Sequence, residues 1–184
     1  IVDLISEVDE NYLKENNITK GTMSLVGYDV ANKISNEIKI TKTISGGSVA
    51  NTIVCMAQHG HKTAFIGKVN NDKLGKQFAE GLEKENVSFK ITETSIDRHT
   101  ARCIILVTSD AERTMNTYLG ISQELIEKDV DTSLIRNSSI LYLEGYLWDL
   151  ENAQKAIKKS IIIAKESHTM VAFSLSDAFC VDRF

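Results

Sequence analysis

The chain has 184 residues, which is enough for one domain with a hydrophobic core. Its 21 basic and 25 acidic residues give a formal net charge of −4, so the strongly basic surface of a nucleic-acid-binding protein is excluded. No apolar stretch is long enough to cross a membrane, and the four histidines lack ligand spacing, so no metal site is predicted. The three cysteines, Cys55, Cys103 and Cys180, are far apart and sit among apolar neighbours. We therefore expect a cytoplasmic protein with reduced cysteines.

Strands and helices alternate along the chain. The apolar patterns predict strands over 1–8, 37–44, 63–69, 87–93, 101–108, 113–119, 139–144 and 170–175. Helices are predicted over 10–16, 29–34, 48–59 and 72–84, briefly after Ser122, and over 152–165. Asp9 is placed to cap the first of these helices, and Gly60 to end the third.

This alternation predicts an α/β fold, in which a mainly parallel sheet is flanked by helices in three layers. The strands near 37–44 and 87–119 alternate with polar residues, which does not suit a sheet buried on both faces. They suit a smaller sheet with one exposed face. We therefore expect a small β lid over a cleft, with lid strands within about 4–8, 37–44 and 87–119.

The segment from Gly46 to Asn51 is the most informative short motif. Gly46 and Gly47 allow the backbone to come close to a ligand, and the helix that follows presents unpaired N–H donors. Asn51 lies one turn into this helix, where its amide needs partners. Together these features suit a site for hydroxyl groups or an anion. The alternative is a plain turn with Ser48 as the helix cap and Asn51 bonded inside the protein, and the six residues alone do not separate the two.

Two acidic residues lie at predicted strand ends, where open α/β sheets bind their ligands. Asp3 belongs to the first strand and Glu144 ends the strand over 139–144. Carboxylates in such positions can accept hydrogen bonds from sugar hydroxyls. The alternative for each is a strand end exposed to solvent.

Several segments occur in the order and spacing of the ribokinase-like (PfkB) carbohydrate kinases, and the resemblance covers nearly the whole chain. The matching segments are Ile1-Val2-Asp3, Gly46-Gly47-Ser48-x-x-Asn51, Phe65-Ile66-Gly67-Lys68-Val69-x-x-Asp72-x-x-Gly75 and the helix end from Leu82 to Val87. Two further stretches resemble the adenosine kinase branch. They are Glu10 through Met23, and Ala101 through Val107 followed by Arg113-Thr114-Met115-Asn116.

The resemblance implies a function and a set of site residues. In that family the positions of Asp3, Gly46, Gly47 and Asn51 hold the hydroxyls of the sugar ring, and the position of Glu144 lies near the sugar in ribokinase-type members. The resemblance also implies ATP and Mg²⁺ as cofactors and phosphorylation of a hydroxymethyl group of a nucleoside (adenosine-like) or a sugar. Pairing of lid strands between subunits, as in some members, would give a homodimer.

The chain also departs from the family pattern. Asn70 stands where glycine is usual, and Ile53 where a small residue is common. The family's Asp-Thr-x-Gly-Ala-Gly-Asp motif and its Asn-x-x-Glu motif are absent. We therefore expect residues 1–184 to be the N-terminal part of a single kinase domain, with the catalytic base and the ATP-binding part C-terminal to Phe184 and no catalytic residue in this chain.

Two alternatives belong to other functional classes. A non-catalytic module could keep the sugar or nucleoside pocket and act as a sensor. A dinucleotide-binding oxidoreductase domain would share the alternating pattern, but the Gly-x-Gly-x-x-Gly turn after the first strand is missing.

Overall fold

A computed structural model of the chain describes residues 1–92, 94–176 and 178–182, apart from the side chain of Phe179. The strands are β1 Val2–Glu7, β2 Met23–Leu25, β3 Lys42–Ser45, β4 Thr63–Ala64, β5 Val87–Ser88, β6 Arg102–Val107, β7 Arg113–Tyr118, β8 Ile140–Glu144 and β9 Met170–Ser174. The α-helices are α1 Glu10–Glu15, α2 Tyr28–Glu37, α3 Ser48–Gln58, α4 Lys73–Lys84, α5 Thr132–Arg136, α6 Glu151–Glu166 and α7 Ala178–Val181. Short 3-10 helices cover Gly120–Glu124, Glu127–Asp129 and Gly145–Leu147.

A five-stranded mixed sheet has the strand order β2-β7-β6-β1-β3. Strand β1, next to the β3 edge, pairs in parallel with the central strand β6 and antiparallel with β3. Strands β6 and β7 form an antiparallel hairpin, and β2 is added in parallel at its far edge. Because side chains alternate between the two faces, Val2 and Leu4 of β1 point into the core together with Ile104 and Leu106 of β6. Asp3 therefore lies on the opposite face.

Among the described residues, two short pairs of parallel strands lie outside this sheet. β4 pairs with β5, and β8 pairs with β9 from Ile140 opposite Met170 to Glu144 opposite Ser174. Helix α6 packs against both β8 and β9, and helix α3 contacts both β4 and β8. Helix α3 thus lies beside both parallel pairs.

Several predicted strands differ from the observed ones. The strand over 37–44 is wrong at its start, because Ala31 and Ile34 keep the buried face of α2 in helical spacing as far as Glu37, and β3 begins only at Lys42. The strand over 63–69 is limited to Thr63–Ala64, since the chain then turns Lys68 inward. The strand over 87–93 is limited to Val87–Ser88, and Glu93 lies outside the described residues. The helix predicted after Ser122 is a 3-10 helix that already begins at Gly120 and contains Ser122, so its predicted start is wrong.

The strands expected to form a lid do not all share one sheet. β3, β6 and β7 belong to the five-stranded sheet together with β1. The segment around 87, by contrast, pairs with β4. Whether the five-stranded sheet acts as a lid stays a prediction.

The inward turn of Lys68 ends in a buried ion pair. Lys68 Nζ lies 2.8 Å from Asp129 Oδ2 and donates to the Glu124 carbonyl oxygen at 3.1 Å. Both charged side chains are only 4% exposed, and the second Asp129 bond, from the Ile126 N–H, satisfies the carboxylate further. A buried pair of this kind is tolerated because each charge has partners. It fastens the segment after β4 to the 3-10 helices.

Asp72 connects α4 to the start of β6. Its carboxylate caps the helix by accepting from the Gly75 N–H at 2.8 Å. It also accepts from the Thr100 N–H at 2.8 Å and the Thr100 hydroxyl at 2.7 Å. Helix α4 carries Phe78 and Leu82 into the core, so one carboxylate fixes the helix and the entry to β6 at once.

No helix in the part of the chain that the structure describes has the length and apolar character needed to span a membrane.

We expect Asp72→Ala to lower the free energy of unfolding by about 2–4 kcal/mol, because it removes a helix cap and two further hydrogen bonds to a carboxylate. The matched control is Asp9→Ala, which removes only the cap on the Tyr12 N–H and should cost about 1 kcal/mol. Urea unfolding followed by circular dichroism measures both. Equal losses in the two variants would contradict the connecting role of Asp72.

Candidate functional site

A glycine pair links the five-stranded sheet to helix α3. β3 ends at Ser45, Gly46 and Gly47 form the turn (the di-glycine turn below), and α3 begins at Ser48. Gly47 has φ +96°, in the region that favours glycine, and it occupies the N-cap position without a side-chain cap. The first turn of α3 therefore presents backbone N–H groups and the positive end of the helix dipole.

The Asp3 carboxylate lies directly against the backbone of Gly46. A methyl group placed on Gly46 would be 2.2 Å from Asp3 Oδ2 and 2.5 Å from Oδ1, closer than atoms can approach. Burial raises the pKa of the Asp3 carboxyl above its usual value. Only glycine allows this half-buried carboxylate to lie beside the start of α3.

Glu144 contacts the residue that follows the same turn. It ends β8, and Ser48, the first residue of α3, donates a hydrogen bond from its hydroxyl to Glu144 Oε2. The Tyr142 hydroxyl donates to Glu144 Oε1 at 2.9 Å. Asp3 contacts Gly46 and Glu144 contacts Ser48, so both carboxylates lie next to the di-glycine turn.

Asn51 is exposed one turn further along α3. Its backbone N–H donates to the Gly47 carbonyl at 2.9 Å, as expected for the first helical bond. Within the described residues its side-chain amide makes no hydrogen bond to the protein. Two details of the plain-turn alternative are therefore wrong, because Gly47 and not Ser48 holds the N-cap position and the Asn51 amide is not bonded inside. That this turn binds a ligand stays a prediction.

A row of residues crosses the five-stranded sheet beside Asp3. The cross-strand partners are Ile44, Asp3, Cys103, Thr117 and Leu25, one from each strand. Partners in a ladder point to the same face, and the Thr117 hydroxyl confirms this by donating to Cys103 Sγ at 3.3 Å. Burial raises the pKa of the Cys103 thiol to about 11, so it stays protonated at neutral pH.

The sequence predictions did not include this row. Alternation along β6 and β7 indicates which residues share a face of one strand, but not which residues of other strands they meet. Cys103 and Thr117 become neighbours of Asp3 only through the observed register.

Two other features of the described chain lie away from these residues. A cavity of about 820 Å³ is lined by residues from 65–67, 88–92 and 128–134, and none of the predicted site residues belongs to it. No group of three or more His, Cys, Asp or Glu side chains among the described residues is arranged to hold a metal ion. The five predicted residues are thus grouped around the di-glycine turn and not around the cavity.

Comparison with solved structures confirms the α/β, ribokinase-like fold. The adenosine kinase of Sinorhizobium meliloti superposes with a TM-score of 0.88 at 40% identity, over 100% of this chain and 56% of that one. A probable sugar kinase of Rhizobium etli gives a TM-score of 0.88 at 38% identity, over the same shares.

Curated relatives are sugar kinases of lower identity. The 5-dehydro-2-deoxygluconokinase of Clostridium perfringens is 27% identical over 150 residues, covering 80% of this chain and 44% of the relative. Probable fructokinase-4 of Arabidopsis thaliana is 24% identical over 130 residues, covering 70% of this chain and 40% of the relative. The chain thus spans less than half the length of these curated relatives.

The family profile described as pfkB family carbohydrate kinase matches residues 18–181. Since this match covers most of the 184 residues, the chain belongs to the pfkB family of carbohydrate kinases.

Proposed function

We propose that this chain carries the substrate-binding part of an ATP-dependent kinase that phosphorylates a hydroxymethyl group of a nucleoside (adenosine-like) or a sugar. The observation that carries the proposal is the pair of carboxylates beside the di-glycine turn, Asp3 against Gly46 and Glu144 bonded to Ser48. A carboxylate accepts hydrogen bonds and cannot donate them when ionised, so this arrangement suits a ligand that presents several hydroxyl donors.

The same charges disfavour an anionic ligand at this position. Two carboxylates beside the turn repel a phosphate group, although the start of α3 alone would attract one. The exposed Asn51 amide adds both a donor and an acceptor on the same helix. A neutral, hydroxyl-bearing ring fits this set of groups better than a sugar phosphate does.

The face of the sheet beside Asp3 favours a nucleoside over a free sugar. Leu25 in the cross-strand row is 55% exposed, and the neighbouring Met23 on the same strand face is 39% exposed. A nucleobase has apolar faces that gain from contact with such side chains, whereas a free sugar has little apolar surface. The likeness to the Sinorhizobium meliloti adenosine kinase points the same way.

The residues present do not fit the phosphates of ATP or a magnesium ion. No group of side chains in the described residues is arranged to hold a metal ion. The helix start after the di-glycine turn lies beside two carboxylates, which disfavour a phosphate there. In our proposal, ATP and Mg²⁺ bind C-terminal to Phe184, where the catalytic base also lies. Residues 1–184 would then hold and orient the acceptor hydroxyl, which lowers the barrier by positioning.

The five-stranded sheet takes two further roles in this proposal. Strand β1 carries Asp3, and the neighbouring strand β3 leads into the di-glycine turn. The sheet is therefore placed to cover the ligand as a small β lid. Its exposed apolar side chains could also pair two subunits, which would give a homodimer through the lid.

The first test of the site is Asn51→Ala, which should weaken nucleoside or sugar binding by about 1–3 kcal/mol because ligand hydroxyls lose a partner. Gln58→Ala is the control, since it removes another exposed amide from the same helix, where it bonds to Glu85. Calorimetry with adenosine, D-ribose and D-fructose measures both affinities. Equal affinity in Asn51→Ala and the wild type would remove Asn51 from the site.

Gly46→Ala should displace the Asp3 carboxylate, because the added methyl group cannot occupy the same space. We expect a loss of about 1–3 kcal/mol in unfolding free energy from overpacking, and loss of ligand binding with it. Gly27→Ala is the matched control, since nothing lies within 4 Å of its added methyl group. Unfolding and binding measurements on both variants check the contact; wild-type behaviour of Gly46→Ala would show that Asp3 does not need its observed position.

The activity itself gives a third test. Residues 1–184 alone should show no ATP-dependent phosphorylation of adenosine, ribose or fructose, whereas the longer parent protein should phosphorylate one of them. A coupled assay on both proteins measures this, with folding checked by circular dichroism. Turnover by the well-folded 184-residue chain would show that the transfer site lies within it, and an inactive parent that binds ligand would favour the non-catalytic module.

A further inference from the structure

Tyr142 and Glu144 form a unit on one face of β8. They are two residues apart, so their side chains point to the same side of the strand, and the Tyr142 hydroxyl donates to Glu144 Oε1 at 2.9 Å. The register places Ala172 beside Tyr142 and Ser174 beside Glu144 on the neighbouring strand. These small partners leave room for the tyrosine ring to extend along the strand towards its carboxyl end.

The unit restricts the orientation of a flexible side chain. A glutamate at a strand end loses considerable rotamer freedom when it is fixed, so an unsupported carboxylate would sample several orientations. Here Tyr142 fixes one oxygen and Ser48 the other. A carboxylate accepts about four hydrogen bonds, so about two acceptor positions remain for a ligand.

We propose that Tyr142 is a positioning residue of the substrate site, whose hydroxyl fixes the Glu144 carboxylate so that its remaining acceptor positions face ligand hydroxyls at the di-glycine turn. The inference rests on the function proposed above. Glu144 also raises the pKa of the Tyr142 hydroxyl through their hydrogen bond, so the tyrosine remains a neutral donor across the physiological range.

A purely structural role for the same bonds makes a different prediction. If Tyr142, Glu144 and Ser48 only tie β8 to α3, removal of the tyrosine hydroxyl lowers stability, and any effect on affinity follows from that loss. If Tyr142 positions Glu144, its removal lowers affinity without a matching loss of stability. The effect on affinity must also disappear once Glu144 is absent.

The experiment compares Tyr142→Phe, Glu144→Ala and the double variant. All three are made in the longer parent protein used in the activity test. The control is Tyr12→Phe, which removes an exposed tyrosine–glutamate hydrogen bond of 3.2 Å, to Glu37, from a half-buried tyrosine outside the site. Dissociation constants for adenosine, D-ribose and D-fructose are measured by calorimetry, and melting temperatures by circular dichroism.

We expect Tyr142→Phe to raise the dissociation constant of the bound probe about five- to tenfold. Its melting temperature should change no more than that of Tyr12→Phe, and in the Glu144→Ala background it should change the affinity no further. Unchanged affinity in Tyr142→Phe, or an equal loss with and without Glu144, would overturn the positioning role while the proposed function stands. A wild-type protein that binds none of the three probes would overturn the proposed function and this inference with it.

Discussion

The arrangement of the site depends on the missing side chain at Gly46. Because no Cβ is present there, the Asp3 carboxylate can lie against the backbone that connects β3 to α3. The strand pairing of β1 with β3 brings the two residues together, and the turn then directs α3 away from the sheet towards β4 and β8. A charged group from the five-stranded sheet and the start of a helix thereby meet at one point. The Glu144 carboxylate reaches that point from a different sheet, through Ser48.

Other polar contacts hold the surroundings of this point in place without entering it. Asp72 joins α4 to Thr100, two residues before β6, the strand next to β1. The ion pair of Lys68 and Asp129 joins the segment after β4 to the 3-10 helices that precede β8. Each contact is local, but each connects elements that are distant in sequence. Polar contacts as well as the hydrophobic core therefore connect the elements around this point.

The sequence predicted the local structure better than the contacts between elements. The helix after Asp9 starts where its capping aspartate predicts, because capping acts within one turn, and the helix predicted from Asp72 starts one residue later, with Asp72 as its cap. The strand over 37–44 failed because isoleucines suit either element, and only packing against the sheet shows that α2 continues. The grouping of Asp3 with Gly46 was expected from the family resemblance. The resemblance did not predict that Cys103 and Thr117 lie in one row with Asp3, or that Tyr142 bonds to Glu144. These contacts depend on the register of the paired strands and on side-chain hydrogen bonds, which the sequence does not show.

The contact between Asp3 and Gly46 also constrains how this protein can evolve. A single mutation that adds any side chain at Gly46 collides with the carboxylate, and the collision ends only if Asp3 becomes smaller or moves. The two positions are 43 residues apart in sequence, yet the side chain at position 3 limits which residue can stand at position 46. Replacement of Gly46 in a descendant lineage should therefore be accompanied by replacement of Asp3, whereas a smaller residue at position 3 leaves Gly46 free to stay.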